Sequence, residues 1–470
     1  MASFEFVITA FLAISLAAAI ISSRTRAPYT IILVFFGVAI AGSSLSSILN
    51  VNLLYGSLIG GGLFVGLVLP PLLFETMMNI RYEEFRAVFT PALRLATVGV
   101  GIATVVGGLL LWQIAELPLV SAFVFSSLIA PTDTATVLEI FRRARLPRKL
   151  STLMEVEASF NDATGIIIFT IVVTSIGVSS QSLIGALVNF GTIFGGGVLV
   201  GIVVAIGAHL ASRLVDDPMS ETMVTVTTVY GSYTVADVLG VSGLVAVSIA
   251  GLYYGNSTIK TWVRPQTTRT VRNFWRIIGF IANSLAFLYI GLSTNLATIT
   301  ADLVPIGIAF GAVIIARLSS VYPLLGISRV NGERIPRSWK NVAMLGGMRG
   351  ALSIALVASL KSCTPTPVAD CVQSLDKITS MVLGVAFLSI VLQGFLLSRY
   401  IRRKFPNRPP ARGVQALLTP EEGDVPYSSD RARGYLVHES SALLGESIYI
   451  VAAGWALASA CLSSTLFPQP

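Results

Sequence analysis

The sequence predicts an all-α protein that crosses a membrane many times. Hydrophobic residues make up 54% of the 470 residues and charged residues only 12%, whereas soluble domains average about 25% charged residues. Apolar runs close to the roughly 20 residues that a helix needs to cross a bilayer recur along the chain. The short alternating segments typical of a membrane β-barrel do not occur in the sequence.

Hydropathy predicts about thirteen membrane spans. They cover approximately residues 4–22, 29–47, 56–79, 92–113, 117–140, 150–176, 183–212, 219–238, 241–255, 272–297, 302–326, 338–360 and 376–398. Lys and Arg concentrate in alternate loops, which places the N-terminus outside and the end of the last span in the cytoplasm. The pair 219–255 could instead be one kinked span with a re-entrant piece, which would reverse the later orientations. Because the basic residues lie in short loops, the net charge of +8 does not indicate a nucleic-acid partner.

Two predicted spans contain residues that break helices. The fifth contains Ala130-Pro131-Thr132-Asp133-Thr134, and the twelfth contains Gly346-Gly347-Met348-Arg349-Gly350. Proline removes a backbone donor and clashes with the carbonyl one turn earlier, so the fifth span should open there. Paired broken spans in the two halves of a chain are typical of secondary transporters built from inverted repeats, with their site at the midplane. A proline kink satisfied by neighbouring helices is the structural alternative.

Three carboxylates inside predicted spans are the candidate site residues. Asp162, Glu157 and Glu75 would be costly in hydrocarbon, so they should face a bundle interior or a wet cavity. Asp162 is interpreted as the carrier, because one buried carboxylate can bind either a proton or a cation. Glu157 is interpreted as the partner of a buried arginine, because an unpaired buried charge is expensive. Arg317 is preferred for this pair, because Arg349 sits at the broken twelfth span and could balance carbonyl ends there.

The other candidate ligands are neutral oxygens and one further carboxylate near the breaks. Opening of the fifth span frees backbone carbonyls, which are hard ligands suited to a small alkali cation, and Thr132 adds a hydroxyl. Asp133 and Arg349 could balance the dipole ends of the half-helices. Glu75 follows two prolines and is either a direct ligand or an outer carboxylate. Asn161 is neutral, which limits the charge available and favours one proton per monovalent cation.

The Asn161-Asp162 pair preceded by Glu157, the break at residues 130–133 and the run Gly347-Met348-Arg349-Gly350 together resemble the monovalent cation/proton antiporter-1 family. These are the NhaP-type Na⁺/H⁺ antiporters, and the resemblance covers about residues 1–400. It implies a homodimer of thirteen-helix protomers, each with a six-helix core domain and a dimerisation domain. It also implies electroneutral exchange of Na⁺ or Li⁺ for H⁺ across a cell membrane, with no cofactor.

The resemblance also implies a role for each matching residue. Asp162 would carry the cation and the proton, with Glu75 and the Thr132 carbonyl as Na⁺ ligands. Asn161 and Asp133 would be supports, and Glu157 a structural ion-pair partner. The sequence departs from the family pattern at Ala158, where a Ser commonly supplies a ligand oxygen. This departure bears on cation affinity and on the preference between Na⁺ and K⁺.

The expected transmembrane domain is residues 1–400, with the core site built from 56–176 and 272–398. Residues 401–447 are predicted to form a polar cytoplasmic linker, and 448–467 an additional span or docked helix. Cys363 and Cys371 fall in a predicted outer loop where a disulfide is possible. The only two histidines form no metal pattern.

K⁺/H⁺ exchange, a cation channel and an intramembrane protease are the alternatives to Na⁺(Li⁺)/H⁺ exchange. K⁺/H⁺ exchange would use the same scaffold. A cation channel would ordinarily show a filter or a ring of charges along a pore, and none is evident in the sequence. An intramembrane aspartyl protease needs two facing aspartates, but the only Gly-Asp dipeptide, at 423–424, lies in the polar tail.

Overall fold

The computed structural model describes residues 4–25, 28–43, 63–115, 117–133, 135–144, 146–174, 183–294, 300–362 and 375–405. Residues 406–470 lie outside the described residues, and so do Cys363, Cys371 and Thr134. The predictions of a linker beyond residue 405, of a helix at 448–467 and of a disulfide are therefore not addressed by the structure. The last described helix ends at Lys404, inside the segment expected to begin the linker.

The described residues are almost entirely helical. The first half contains α1 (Phe4–Thr25), α2 (Tyr29–Ala41), α3 (Leu63–Leu67), α4 (Leu69–Met78), α5 (Tyr82–Arg94), α6 (Val100–Ile114), α7 (Leu119–Ile129), α8 (Ala135–Ala144), α9 (Arg148–Thr174) and α10 (Leu183–Ala211). The second half contains α11 (Pro218–Val238), α12 (Gly243–Tyr253), α13 (Ile259–Thr261), α14 (Pro265–Ser293), α15 (Leu303–Ile327), α16 (Arg337–Leu345), α17 (Ala351–Ser362), α18 (Leu375–Leu388) and α19 (Gly394–Lys404). A two-stranded hairpin, β1 (Arg329–Val330) and β2 (Glu333–Arg334), separates α15 from α16.

Short π-helical segments join three helix pairs into longer rods. Leu95–Gly99 connects α5 to α6, Tyr254–Thr258 connects α12 to α13, and Ser389–Gln393 connects α18 to α19. Such single-turn π-bulges are frequent at functional positions. Counting these joined rods, six helical stretches of the described chain are long and apolar enough to cross a membrane. The total of thirteen spans stays a prediction.

Glycines allow helix backbones to approach each other, as is usual inside membranes. Along α2 and α14, a Cβ added at Gly37 would lie 2.5 Å from the carbonyl oxygen of Leu288. Gly291 on α14 packs against the backbone of α2 in the same way. Because no side chain separates these two backbones, α2 and α14 pack as one unit.

Both predicted interruptions are present as non-helical backbone. Residues 130–133 follow the last residue of α7 and precede α8, and residues 346–350 separate α16 from α17. Each predicted broken span therefore consists of two short helices, none longer than the 12 residues of α17. The inverted-repeat relationship and the division into core and dimerisation domains stay predictions.

Candidate cation site

The two helix breaks lie against each other and are hydrogen-bonded, and we call this contact the crossing. The backbone N–H of Asp133 donates to the carbonyl of Met348 over 2.7 Å. The carboxylate of Asp133 lies against the α-carbon of Gly350, where any Cβ would collide with it. Asp133 therefore stands close to the first turns of both α8 and α17. A negative charge at this place stabilises the positive ends of two half-helices.

Arg349 places a positive charge at the carbonyl end of α7, whereas Asp133 places a negative charge at the amino ends of two helices. Its side chain is 1% exposed, and its Nη1 donates to the carbonyls of Ala130 and Pro131 over 2.5 and 3.1 Å. These carbonyls are left without helical partners where Pro131 interrupts the chain. The backbone N–H of Arg349 donates to Ser389 Oγ over 2.9 Å. The cation thus compensates the negative end of the half-helix that leads into the break.

Glu157 is fully buried on α9 and is neutralised by Arg317. Arg317 Nη1 donates to Glu157 Oε1 over 2.9 Å, and Nη2 donates to the carbonyl of Ala343 over 3.2 Å. Gly347 makes room for this arginine, because a Cβ at that position would lie 2.8 Å from its Nε. This pairing is the one that the sequence favoured. It removes the charge of Glu157 from the local balance.

Asn161 joins the ion pair to the first break. Its Nδ2 donates to Thr132 Oγ1 over 3.0 Å and to Glu157 Oε1 over 3.1 Å. The orientation of the amide follows from chemistry, because an ionised carboxylate only accepts hydrogen bonds and must face the nitrogen. The Oδ1 atom of Asn161 is buried and accepts no hydrogen bond from the described residues. This neutral oxygen is therefore outside the hydrogen-bond network, on the residue that precedes Asp162.

Asp162 follows Asn161 on α9 and is only partly buried. The carboxylate of Asp133, in the first break, repels a negative charge at Asp162. Since both are acidic, binding of a proton or a cation at Asp162 lowers the repulsion within this group. Ala158 lies one helical turn earlier on the same face, and its methyl group is buried.

Glu75 approaches a different helix from the other predicted ligands. Its Oε1 accepts from Asn79 Nδ2 over 3.4 Å, and its Oε2 lies 3.6 Å from where a Cβ of Gly279 on α14 would stand. Thr132, Asn161 and Glu157, by contrast, are joined by direct hydrogen bonds. The helix of Glu75, α4, also packs on α9. No three acidic, His or Cys side chains of the described chain converge on a metal-like site, so neutral oxygens would have to complete any cation shell.

Three contributors to this arrangement were not predicted. Ser389 holds the backbone of Arg349, and Gly165 on α9 lets the ring of Pro131 pack against that helix. Glu139 is a buried acid on α8. It lies within the predicted fifth span, so the signal that identified Asp162 would also have identified Glu139. The contacts of Ser389 and Gly165 carry no such signal in the sequence.

Comparison with known proteins identifies the family. Residues 8–403 match the transmembrane sodium/hydrogen exchanger family. The chain belongs to this family. The resemblance to NhaP-type antiporters drawn from the sequence is therefore confirmed.

Among curated relatives of this exchanger, the low-affinity Na⁺/H⁺ antiporter NhaS1 of Synechocystis is 31% identical over 82% of the chain and 71% of the relative. ApNhaP of Aphanothece halophytica is 31% identical over 85% and 74%, and NhaP of Pseudomonas aeruginosa is 32% identical over 73% and 81%. The solved structure of the antiporter MjNhaP1 from Methanocaldococcus jannaschii at pH 8 superposes with a TM-score of 0.68, covering 86% of the chain and 99% of that protein. At 21% identity, this likeness shows a common fold.

The buried ion pair predicts a non-additive effect on stability. Glu157→Ala or Arg317→Ala alone should lower the unfolding free energy by about 3–5 kcal/mol, because each leaves an uncompensated buried charge. The combined variant Glu157→Leu with Arg317→Met should lose less than either single variant. The measurement is thermal unfolding in detergent, with Asp216→Asn and Arg264→Met as the control pair, since that ion pair is exposed. Strictly additive losses at residues 157 and 317 would contradict the interpretation of Glu157 as a paired structural acid.

Proposed function

We propose that this protein is a secondary Na⁺(Li⁺)/H⁺ antiporter that exchanges one monovalent cation for one proton at Asp162 by alternating access. The observation that carries the proposal is the crossing of two broken helices beside Asp162, with Glu157 already paired to Arg317. Broken helices at a midplane site supply the carbonyl oxygens and dipole ends that bind cations in secondary transporters. The relatives named above are Na⁺/H⁺ antiporters, which favours Na⁺ over K⁺ as the cation.

The exchange cycle follows from competition for one carboxylate. With a proton bound, Asp162 is neutral and the site can reorient without an ion. With Na⁺ bound, the cation is held by the Asp162 carboxylate, by Glu75 and by the Thr132 carbonyl, and Asn161 supports the shell. Because Glu157 is neutralised by Arg317, we assign to Asp162 alone the uptake of a proton when the cation leaves. One charge then moves each way, and transport is electroneutral.

The hydroxyl and the carbonyl of Thr132 have separate roles in this proposal. The hydroxyl accepts from Asn161 and lies 3.5 Å from Glu157 Oε1. It is thus engaged in holding the break against α9. The carbonyl of a residue in non-helical backbone is free of the helical bonding pattern, and it is this oxygen that we assign to Na⁺.

The proposed assembly is a homodimer in the cell membrane, with the N-terminus outside. The assignment of the dimer comes from the family resemblance. The apolar window of α10 is only 22% buried within one protomer, which leaves a long apolar face for a second copy or for lipid. The chemistry proposed at Asp162 depends neither on the dimer nor on the orientation of the N-terminus.

Light scattering of the protein in detergent, corrected for bound detergent, tests the assembly. We expect a protein mass of about twice the 49.8 kDa of the chain. A single-chain mass that persists in nanodiscs at high protein concentration would contradict the dimer. Transport by such a monomer would still leave the exchange mechanism standing.

Exchange itself is tested in proteoliposomes with a trapped pH dye. Addition of Na⁺ or Li⁺ should dissipate an imposed pH gradient, and Asp162→Asn should abolish this because the amide cannot exchange a proton for a cation. Asp216→Asn is the matched control, since its side chain is 92% exposed. Full exchange by Asp162→Asn would overturn the assignment. A response to K⁺ alone would support the K⁺/H⁺ alternative, and a current that collapses the membrane potential would indicate a channel.

Ala158 offers a test of the ligand shell. Ala158→Ser adds a hydroxyl one turn before Asp162 on the same helical face. If it joins the shell, the half-saturating Na⁺ concentration should fall about fivefold, as expected for a hydrogen-bond-sized gain of about 1 kcal/mol. Ala163→Ser, one position beyond Asp162 and also buried, is the control. An unchanged half-saturating concentration in Ala158→Ser would place this position outside the shell.

A further inference from the structure

Glu139 is a buried acid with no part in the exchange chemistry described above. It lies on α8, its side chain is 4% exposed, and it bonds to residues about 110 positions earlier in the chain. Its Oε1 accepts from the backbone N–H of Tyr29 over 2.6 Å. Its Oε2 accepts from the backbone N–H and the hydroxyl of Thr30, both over 3.2 Å. One carboxylate therefore receives three hydrogen bonds from the first turn of α2.

The start of α2 requires a partner from elsewhere in the chain. Pro28 is the capping residue, and no side-chain cap is made at this position. The first amides of a helix have no partner within the helix, and leaving them unpaired is costly in a low-dielectric interior. Tyr29 and Thr30 are both buried. Glu139 satisfies these two amides and places its negative charge at the positive end of the helix.

The first turn of α2 is in turn fixed to α14. The hydroxyl of Tyr29 hydrogen-bonds to Ser284 over 2.7 Å, and its ring stacks on Phe280 with centroids 5.0 Å apart. The backbone contact at Gly37 extends this attachment along α2. When Glu139 binds α2, it therefore binds a helix that is already held by a second helix.

The N-terminal end of α8 directly follows the first helix break. Asp133, which bonds to the second break, stands two residues before the first residue of α8. Glu139 lies four residues after that first residue, about one helical turn into α8. The same short helix thus carries a support of the cation site at one end and the attachment to α2 near its middle. A displacement of α8 away from α2 would have to release the Glu139 contact.

We propose that Glu139 is a positioning residue that latches α8 to α2 and closes the space between them on the predicted cytoplasmic side. The latch rests on the proposed function in that it regulates access to the same site. Its bonds are polar, so when α8 and α2 separate, water can replace them at both partners with a small net change. An apolar contact of the same extent would resist hydration. The contact can therefore open and close reversibly during alternating access.

Hydrogen exchange distinguishes a latch from a simple helix cap. The full-length protein in nanodiscs is compared with Glu139→Gln, which keeps the side-chain size but presents one acceptor and one donor group to the two amides. A latch predicts exchange about tenfold faster in the first turn of α2 and also along α8, the size expected for loss of a hydrogen bond to a charged group. Faster exchange at residues 29 and 30 alone would show a cap, and the latch would be wrong.

Two further variants keep this test decisive. Glu221→Gln removes another buried carboxylate, which accepts hydrogen bonds from Ser212 and Tyr254, both outside α8, so it should leave hydrogen exchange in α2 and α8 unchanged. Thr30→Val removes only the hydroxyl donor. It should raise the hydrogen-exchange rate of α2 and α8 by less than Glu139→Gln does. This variant still tests the latch if Glu139→Gln does not fold. Equal exchange in wild type and Thr30→Val would then overturn the latch.

Transport kinetics provide the second readout. In proteoliposomes, Glu139→Gln should change the half-saturating Na⁺ concentration and the maximal rate by different factors. The reason is that it alters the equilibrium between the two access states, while the Na⁺ ligands stay the same. Glu139→Asp should recover part of the wild-type behaviour. Altered hydrogen exchange with unchanged kinetics would contradict a role in access. A wild-type protein that exchanges neither Na⁺, Li⁺ nor K⁺ would refute the proposed function, while the hydrogen-exchange comparison would still decide whether Glu139 holds α8 to α2.

Discussion

The crossing of the two helix breaks is the constraint on which the site depends. Unpaired backbone groups are costly inside a membrane, and irregular backbone is tolerated there only where protein or a polar cavity satisfies it. Here, each break satisfies the other. Asp133 donates to the carbonyl of Met348, and Arg349 donates to the carbonyls of Ala130 and Pro131. Removing either break would leave the polar groups of the other without these partners.

Three of the charges around the crossing lie next to groups that compensate them. Arg349 lies at the carbonyl end of α7, and Asp133 lies close to the first turns of α8 and α17. Glu157 is paired with Arg317. Each of these charges has a compensating partner built into the fold. In the proposed exchange, a proton or a cation from solution supplies the compensating charge for Asp162.

The sequence predicted those parts of this arrangement that follow from the free-energy cost of placing polar groups and helix breaks inside a membrane. A proline or a glycine cluster inside an apolar span is visible as a break, and an acid in such a span is visible as a polar site. Even the choice of Arg317 for Glu157 followed from the competing demand on Arg349. Glu139 was missed although it carries the same signal, because it lies near the end of a predicted span where a charge is easily assigned to solvent. The structure instead places it 4% exposed against α2.

Other features could not be inferred from one sequence, because they depend on which elements meet. The capping of α2 by a carboxylate 110 residues away is one example, and the approach of Glu75 to Gly279 on α14 is another. The orientation of the Asn161 amide required the positions of both its acceptors. Local patterns identify groups that need partners. They do not identify partners on helices whose packing is decided by contacts far apart in the chain.

The shortness of α8 gives these observations a mechanical consequence. The helix has 10 residues, which corresponds to a length of about 15 Å. Over such a distance an α-helix bends little, so its two ends move together. Asp133 just before it bonds to the second break, and Glu139 within it bonds to α2. In the proposed exchange, a shift of the first break would therefore displace Glu139 relative to α2, and release of Glu139 from α2 would free the first break to move. Access and binding would then be coupled through one rigid element, without a separate signalling path.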